Sequence, residues 1–170
     1  MTFRFETHDP EIYRRKARLI SIAMAAQLIV FGLLFSQLLT ATFGSSFWLN
    51  ALGVLLGLVV TSLTFAVLRE RPWMREMRYV WQLKHHLSQV SSYLSTLRQA
   101  VKEDNPNALG ILSFYHQGMA QLAELNGRTT DDDAERLAER LEVRKRREEK
   151  GLPEEVDHYD PQDLRAFKRG

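Results

Sequence analysis

No charged side chain lies between Arg18 and Arg69, although Lys, Arg, Asp and Glu make up 26% of the 170 residues. All of the ionic residues are therefore crowded outside one continuous 50-residue apolar block, Leu19 to Leu68. A soluble globule does not segregate its charges in this way, and neither does a disordered polyampholyte. Gly44, Ser45 and Ser46 are the only turn-like cluster inside the block. The block reads as two helices, 19–43 and 47–68, each long enough at about 1.5 Å per residue to cross a hydrocarbon core of about 30 Å. A three-residue link predicts antiparallel neighbours, a two-helix transmembrane hairpin.

Orientation follows from the cationic bias. Arg14, Arg15, Lys16 and Arg18 precede the first span, Arg69, Arg71, Arg75 and Arg78 follow the second, and the tip carries no charge. Both termini are expected in the cytoplasm. Tyr13, Trp48 and Trp73 fall where interfacial aromatics belong. A cleaved signal peptide has a shorter apolar core than the first span and is not followed at once by a second. A soluble protein burying such a hairpin would need apolar cover, which the polar remainder cannot supply.

Small residues lie at matching depth in the two spans. Gly53 and Gly57 form a GxxxG pair, and Gly32 and Ser36 a small-xxx-small pair. In an antiparallel pair centred on the tip, Gly32 falls level with Gly57 and Ser36 with Gly53. These four are the expected helix-packing residues, because small side chains let backbones approach closely. Self-association of whole chains through Gly53 and Gly57 is the competing reading. Gln27 lies about 140° around the first helix from Gly32, so it is expected to point away from that seam. It is either a tolerated polar side chain or a contact to another subunit.

The chain outside the block reads as helical. Segment 1–18 enters the first helix through Asp9-Pro10-Glu11, an N-cap carboxylate followed by proline at the first helical position. Pro72 should break the helix after the second span. Val80, Leu83, Leu87, Val90, Leu94, Leu97 and Val101 follow 3-4 spacing and predict one helix over 73–102. Asn105-Pro106 starts the next helix, which Gly127 ends, with Ala108, Ile111, Tyr115, Gly118, Leu122 and Leu125 as its stripe. Segment 69–127 is thus expected to be an antiparallel helical hairpin in the cytoplasm. A third, charged helix is expected within 128–150. It would begin at Thr129 or Thr130, with acids (Asp131–Asp133) first and bases (Arg144–Arg147) last, and its thin apolar stripe of Ala134, Leu137, Ala138 and Leu141 leaves open whether it packs lightly or extends into solvent. Segment 151–170 reads as a polar tail in which Asp160-Pro161 could cap a short helix to Phe167. No strand-like alternation is visible. The expected fold class is all-α.

No catalytic constellation appears. Nucleotide-binding glycine motifs, the nucleophile elbow and the zinc-protease motif are absent from the sequence. There is no cysteine. His85 and His86 are adjacent, so a helix turns them about 100° apart, unsuited to chelating one ion. Arg144–Arg147 is interleaved with acids and reads as a solvated helix end rather than a nucleic-acid site. The expectation is no enzyme activity, no cofactor, no metal, no nucleic acid and no small-molecule substrate. Expected partners are the lipid bilayer and a protein, which could be a second copy. Tyr115 reads as core, with His116 one step off the stripe as a rim contact.

Three blocks carry a family resemblance: DPEIYRRKAR near the start, RPWM after the second span, and FYHQGMAQLAELNG in the second polar-region helix. Together they resemble an uncharacterised family of small two-span inner-membrane proteins of gammaproteobacteria, in order along nearly the whole chain. The resemblance implies a multi-pass protein of the bacterial inner membrane, and no mechanism. Within its most specific block, Phe114, Tyr115, His116, Gln121 and Asn126 are the candidate partner contacts. Two function classes follow. One is a membrane-anchored interaction or scaffold protein. The other is an accessory subunit of a transporter or envelope complex that touches its partner through the spans. An enzyme acting on lipid or peptidoglycan precursors would need converging acid, base or metal groups.

Overall fold

The computed structural model describes residues 2–128 and 134–167. Among these, the chain is all-α apart from one small ribbon. Six helices run α1 Pro10–Phe43, α2 Phe47–Leu68, α3 Arg75–Ser91, α4 Leu94–Lys102, α5 Pro106–Leu125 and α6 Ala134–Glu149. Strand β1, Phe3–Arg4, pairs antiparallel with β2, His158–Tyr159. Contacts divide the chain into two units, Ile12–Arg78 on one hand and Met1–Glu11 with Tyr79–Gly170 on the other.

The unit Ile12–Arg78 holds the apolar helices. α1 starts where Asp9 Oδ1 accepts a hydrogen bond from the Glu11 amide at 2.8 Å, with Pro10 at the first helical position. It ends before Gly44, whose φ of 90° suits a residue without a side chain. α2 ends before Pro72, with Arg71 held extended at φ −72° and ψ 146° as a residue preceding proline must be. α1 and α2 are both long and apolar enough to cross a membrane. Only 6% of the most apolar window of α1, and 17% of that of α2, is buried within the protein.

The second unit is built around α5. Leu83, Leu87 and Val90 of α3, Leu97 and Val101 of α4, and Leu109, Leu112 and Phe114 of α5 form its core. Asn105 caps α5 by accepting from the amides of Asn107 and Ala108 at 3.0 and 3.2 Å. Gly127, at φ 68°, closes it, and the Arg128 amide reaches back to the Ala123 carbonyl at 2.8 Å.

The structure differs from the sequence reading in four places. The single helix expected over 73–102 is a 3-10 turn at Pro72–Met74 followed by α3 and α4. The break falls at Ser92–Tyr93. Ser92 Oγ bonds back to the Ser88 carbonyl at 3.2 Å, and the Tyr93 amide closes a tighter turn on Val90 at 2.9 Å. Segment 151–170 is not a free polar tail, because Tyr159 and Leu164 are core residues. The ribbon that anchors this segment was not expected, since two-residue strands carry no alternation to detect. α6, left open in the sequence between light packing and extension into solvent, does pack, but not through its thin apolar stripe. Val143 and Arg147 are buried, whereas Leu137 and Leu141 are 40% and 55% exposed. The stem of a long basic side chain can serve as apolar cover, which hydropathy patterning misses. The expected start of α6 at Thr129 or Thr130 lies outside the described residues.

Candidate functional site

Within the first unit, the small residues of α1 and α2 meet at two points. A methyl group on Gly57 would lie 2.7 Å from the Gly32 nitrogen and 2.8 Å from its Cα. One on Gly53 would overlap the Ser36 nitrogen and lie 2.5 Å from its Cα. Gly53 and Gly57 thus sit where the backbone of α2 touches that of α1 at Ser36 and Gly32, with no room for a side chain, whereas a methyl group on Gly32 would meet Val54 only at 3.8 Å. Two polar pairs flank the seam. Ser36 Oγ donates to Asn50 Oδ1. Gln27 Nε2 donates to Thr64 Oγ1 at 2.8 Å. Gln27 therefore does not point away from α2, as its place on an ideal helical wheel suggested. Its Cα is off the seam, but the three-bond side chain carries the amide back to α2.

In the second unit, three of the candidate partner contacts of the FYHQGMAQLAELNG block are interior residues, while Gln121 is half-buried and Asn126 exposed. Phe114 is fully buried and stacks on Tyr159, with ring centroids 4.2 Å apart and planes 8° from parallel. Tyr115 and His116 are buried as well. Gln121 bridges distant segments, accepting from the Tyr79 hydroxyl at 2.6 Å and donating to the Glu6 carbonyl at 2.7 Å. Asn126 Nδ2 donates to the Leu122 carbonyl at 2.7 Å, closing the last turn of α5. The rim reading of His116 is revised, since α6 covers it. The missed signal was an acid on α6, Glu139, for which no pairing rule could name a partner more than 20 residues away.

Glu139 joins three helices. Arg98 of α4 donates from Nε to Oε1 at 2.6 Å and from a terminal nitrogen to Oε2 at 2.9 Å, and His116 Nε2 stands 3.4 Å from Oε2. The bidentate arginine holds the Glu139 carboxyl below its ordinary range. Burial pulls the His116 pKa down, and Arg98, Arg140 and Arg136 act in the same direction against the pull of Glu139. A buried imidazole beside a clamped carboxylate ties α4, α5 and α6 together here. The adjoining space measures only about 30 Å³.

The basic run at the end of α6 is likewise absorbed. Arg147 Nε donates to the Pro153 carbonyl at 2.9 Å, Arg146 reaches the Val101 carbonyl at 2.9 Å, and Arg144 pairs with Glu154. His85 stacks on Trp81, while His86 packs edge-on against Phe3 and Tyr159. Among the described residues, no three His, Cys, Asp or Glu side chains converge as a metal ion would require.

A cleft of about 910 Å³ remains on this unit. Its walls are the N-terminal segment (Arg4, Phe5, Glu6, Thr7), α5 (Gln117, Ala120, Gln121, Glu124) and the C-terminal segment (Glu155, Val156, Asp157, His158), with Arg128 and Arg140 at the margin. Both signs of charge line it, and the Tyr79–Gln121–Glu6 hydrogen bonds fix one side. Such a surface suits a polar protein segment of mixed charge. Phe5, Ala120 and Val156 are the apolar lining of the cleft.

Residues 3–164 match the family model described as "Protein of unknown function (DUF3087)". The chain belongs to that family. No curated protein and no solved structure matches it. The matched span takes in both apolar helices and both strands of the ribbon, so the family is defined over both units of the fold.

Proposed function

We propose that this chain is a membrane-anchored helical interaction protein of the bacterial inner membrane. In this reading α1 and α2 form a transmembrane hairpin, both termini lie in the cytoplasm, and the family is one of two-span inner-membrane proteins. The helical unit then serves as a scaffold whose cleft receives a protein partner or another copy of the chain. No catalytic role is proposed.

One observation carries the topology. β1 precedes the apolar helices and β2 follows them, yet the two strands hydrogen-bond within one compact unit. Both ends of the apolar stretch must then emerge on the same side of a bilayer, so the number of crossings is even. The nearly bare apolar surfaces of both helices argue for two crossings rather than none. The cationic flanks support the cytoplasm as that side. The second reading, an accessory subunit held through its spans, loses its main polar handle because the Gln27 amide is already bound to Thr64.

Alkaline phosphatase and fluorescent-protein fusions test the topology. Fusions at either terminus should be fluorescent and phosphatase-inactive, and a phosphatase inserted at Ser45 should be active. Termini in opposite compartments, or release of the chain by alkaline carbonate, would refute the reading. Crosslinking in intact cells with mass spectrometry then tests the scaffold. Crosslinks from Glu124, Glu155 or Asp157 to another chain are expected, and their absence with a monomeric mass in detergent would count against it.

A further inference from the structure

The cations that border the apolar helices are not equivalent. Lys16 Nζ sits 2.7 Å from Glu76, while Arg69 and Arg78 lie 3.2 and 3.7 Å from the two oxygens of Glu70. Arg14, Arg15, Arg18 and Arg71 are exposed and carry no ion pair among the described residues. The lysine is thus neutralised within the protein, and all four residues left over are arginines.

Three of these four share one helix face. Arg14 and Arg18 are four residues apart in α1, and Arg15 and Arg18 three apart, so their side chains are neighbours. Like charges at those spacings repel one another and destabilise a helix in water. An anionic counterpart removes that cost. α1 is also longer than its apolar part. Its first nine residues, Pro10 to Arg18, add about 13 Å of helix ahead of Leu19. The polar layer outside the hydrocarbon core is about 5–8 Å thick on each side, so it takes in the last part of this extension, Arg14 to Arg18, and not the whole of it. If the apolar helices span the bilayer, the three guanidinium groups stand at the depth of lipid phosphates. A planar guanidinium presents two parallel N–H donors to a phosphodiester, a geometry an ammonium lacks.

We propose that Arg14, Arg15 and Arg18 of α1, with Arg71 after α2, form a binding face for phospholipids whose headgroups carry net negative charge, such as phosphatidylglycerol. The inference rests on the membrane-spanning reading above. It adds a lipid class to it and names the arginines that select that class. Their phosphate contacts would take the place of the ion pairs that Lys16, Arg69 and Arg78 make within the protein.

The test uses the full chain reconstituted in phosphatidylcholine vesicles containing trace spin-labelled phosphatidylglycerol or phosphatidylcholine. Electron spin resonance gives the motionally restricted fraction of each label, and hence the selectivity. Phosphatidylglycerol should be favoured at least about threefold at low ionic strength. The preference should shrink toward unity at about 0.5 M salt. The variant R14Q/R15Q/R18Q/R71Q should also bring it near unity, whereas K16Q/R69Q should keep it. A wild-type chain without selectivity, or a quadruple variant that retains it, overturns the proposal. So does loss of the preference on adding soluble glycerol phosphate, which would assign the arginines to a free phosphate ligand. Alkaline carbonate extraction of the same vesicles separates the failures. A released chain refutes both the spanning reading and this one, while a retained chain without selectivity refutes this one alone.

Discussion

Replacing Gly53 and Gly57 together by alanine is the sharpest probe of the contact between α1 and α2. The Gly57 methyl would stand 2.7 Å from the Gly32 nitrogen, where 3.4 Å begins ordinary contact, so α2 would have to retreat by about 0.7 Å at that level. The obstacle is backbone on both sides, which cannot swing aside as a side chain would. At Gly53 the overlap with Ser36 is worse. A gap of this size forfeits a quarter to a half of the dispersion energy along the seam. It also pulls Ser36 from Asn50 and Gln27 from Thr64. Over-packing of this kind costs about 1–3 kcal/mol per site, offset by up to about 1 kcal/mol of helix propensity per alanine. The double variant should therefore lose about 2 kcal/mol, roughly thirtyfold in the unfolding constant. The assay is reversible sodium dodecyl sulfate titration of the chain in mild detergent micelles, followed by tryptophan fluorescence, with the mass of the complex measured alongside. Gly110→Ala is the control. Its methyl would meet nothing closer than an Arg147 nitrogen at 3.9 Å, so it should gain about 0.5–1 kcal/mol. A double variant as stable as the wild type would refute the reasoning. Unchanged stability with a dimer turned monomer would assign the glycines to self-association.

Tyr159→Ala removes a 3% exposed ring stacked on Phe114. It should cost about 3 kcal/mol by urea denaturation and expose residues 3–6 to proteolysis. Asn105→Ala deletes the side chain that caps α5 and should cost about 1 kcal/mol in the same assay. His116 and His86 both sit below the ordinary histidine value of 6.5, chiefly because they are buried. The unfolded chain takes up protons that the folded chain refuses, so stability should fall as pH drops from about 7 to about 5.5, and His116→Gln should flatten that slope. Glu139 adds nothing to the slope in that range, because its carboxyl, held low by Arg98, loses its contribution only below its ordinary value of 4.5.

What the sequence revealed depended on how local the signal was. The two apolar helices, the proline at the start of α1, the Asn105 cap and the Gly127 terminator rest on spacings of a few residues, and all are legible in the sequence. The stripe from Val80 to Val101 was legible as burial but not as one helix. Three serines around position 91 offer the backbone competing hydrogen bonds, and periodicity does not register that competition. The packing of α6 was not legible because it rests on Arg147, buried against the Pro153 carbonyl, and on half-buried Glu139, whose pairing with Arg98 across 41 residues leaves no trace in hydropathy. The ribbon was invisible for the same reason. β1 and β2 are two residues each, and their partners lie at opposite ends of the chain.

That last point bears on how the most specific block of the sequence should be understood. Phe114 and Gln121 are candidate contacts only through the family-specific block, and His116 reads as a rim residue because it lies one step off the helix stripe. Each instead holds a segment distant in sequence: Phe114 the C-terminal strand, His116 the α6 acid, Gln121 the backbone of Glu6. α5 is buried on nearly every side along 108–116 because the two ends of the chain close around it. These three side chains are thus engaged by other parts of the same molecule. Any external partner must then use what these closures leave outside, and the mixed-charge cleft they frame is the surface they create. A substitution of Phe114, His116 or Gln121 should therefore weaken partner binding only as far as it loosens the segments they hold, whereas Glu124→Lys, on the exposed side of the same block, or Asp157→Lys should weaken it with stability unchanged.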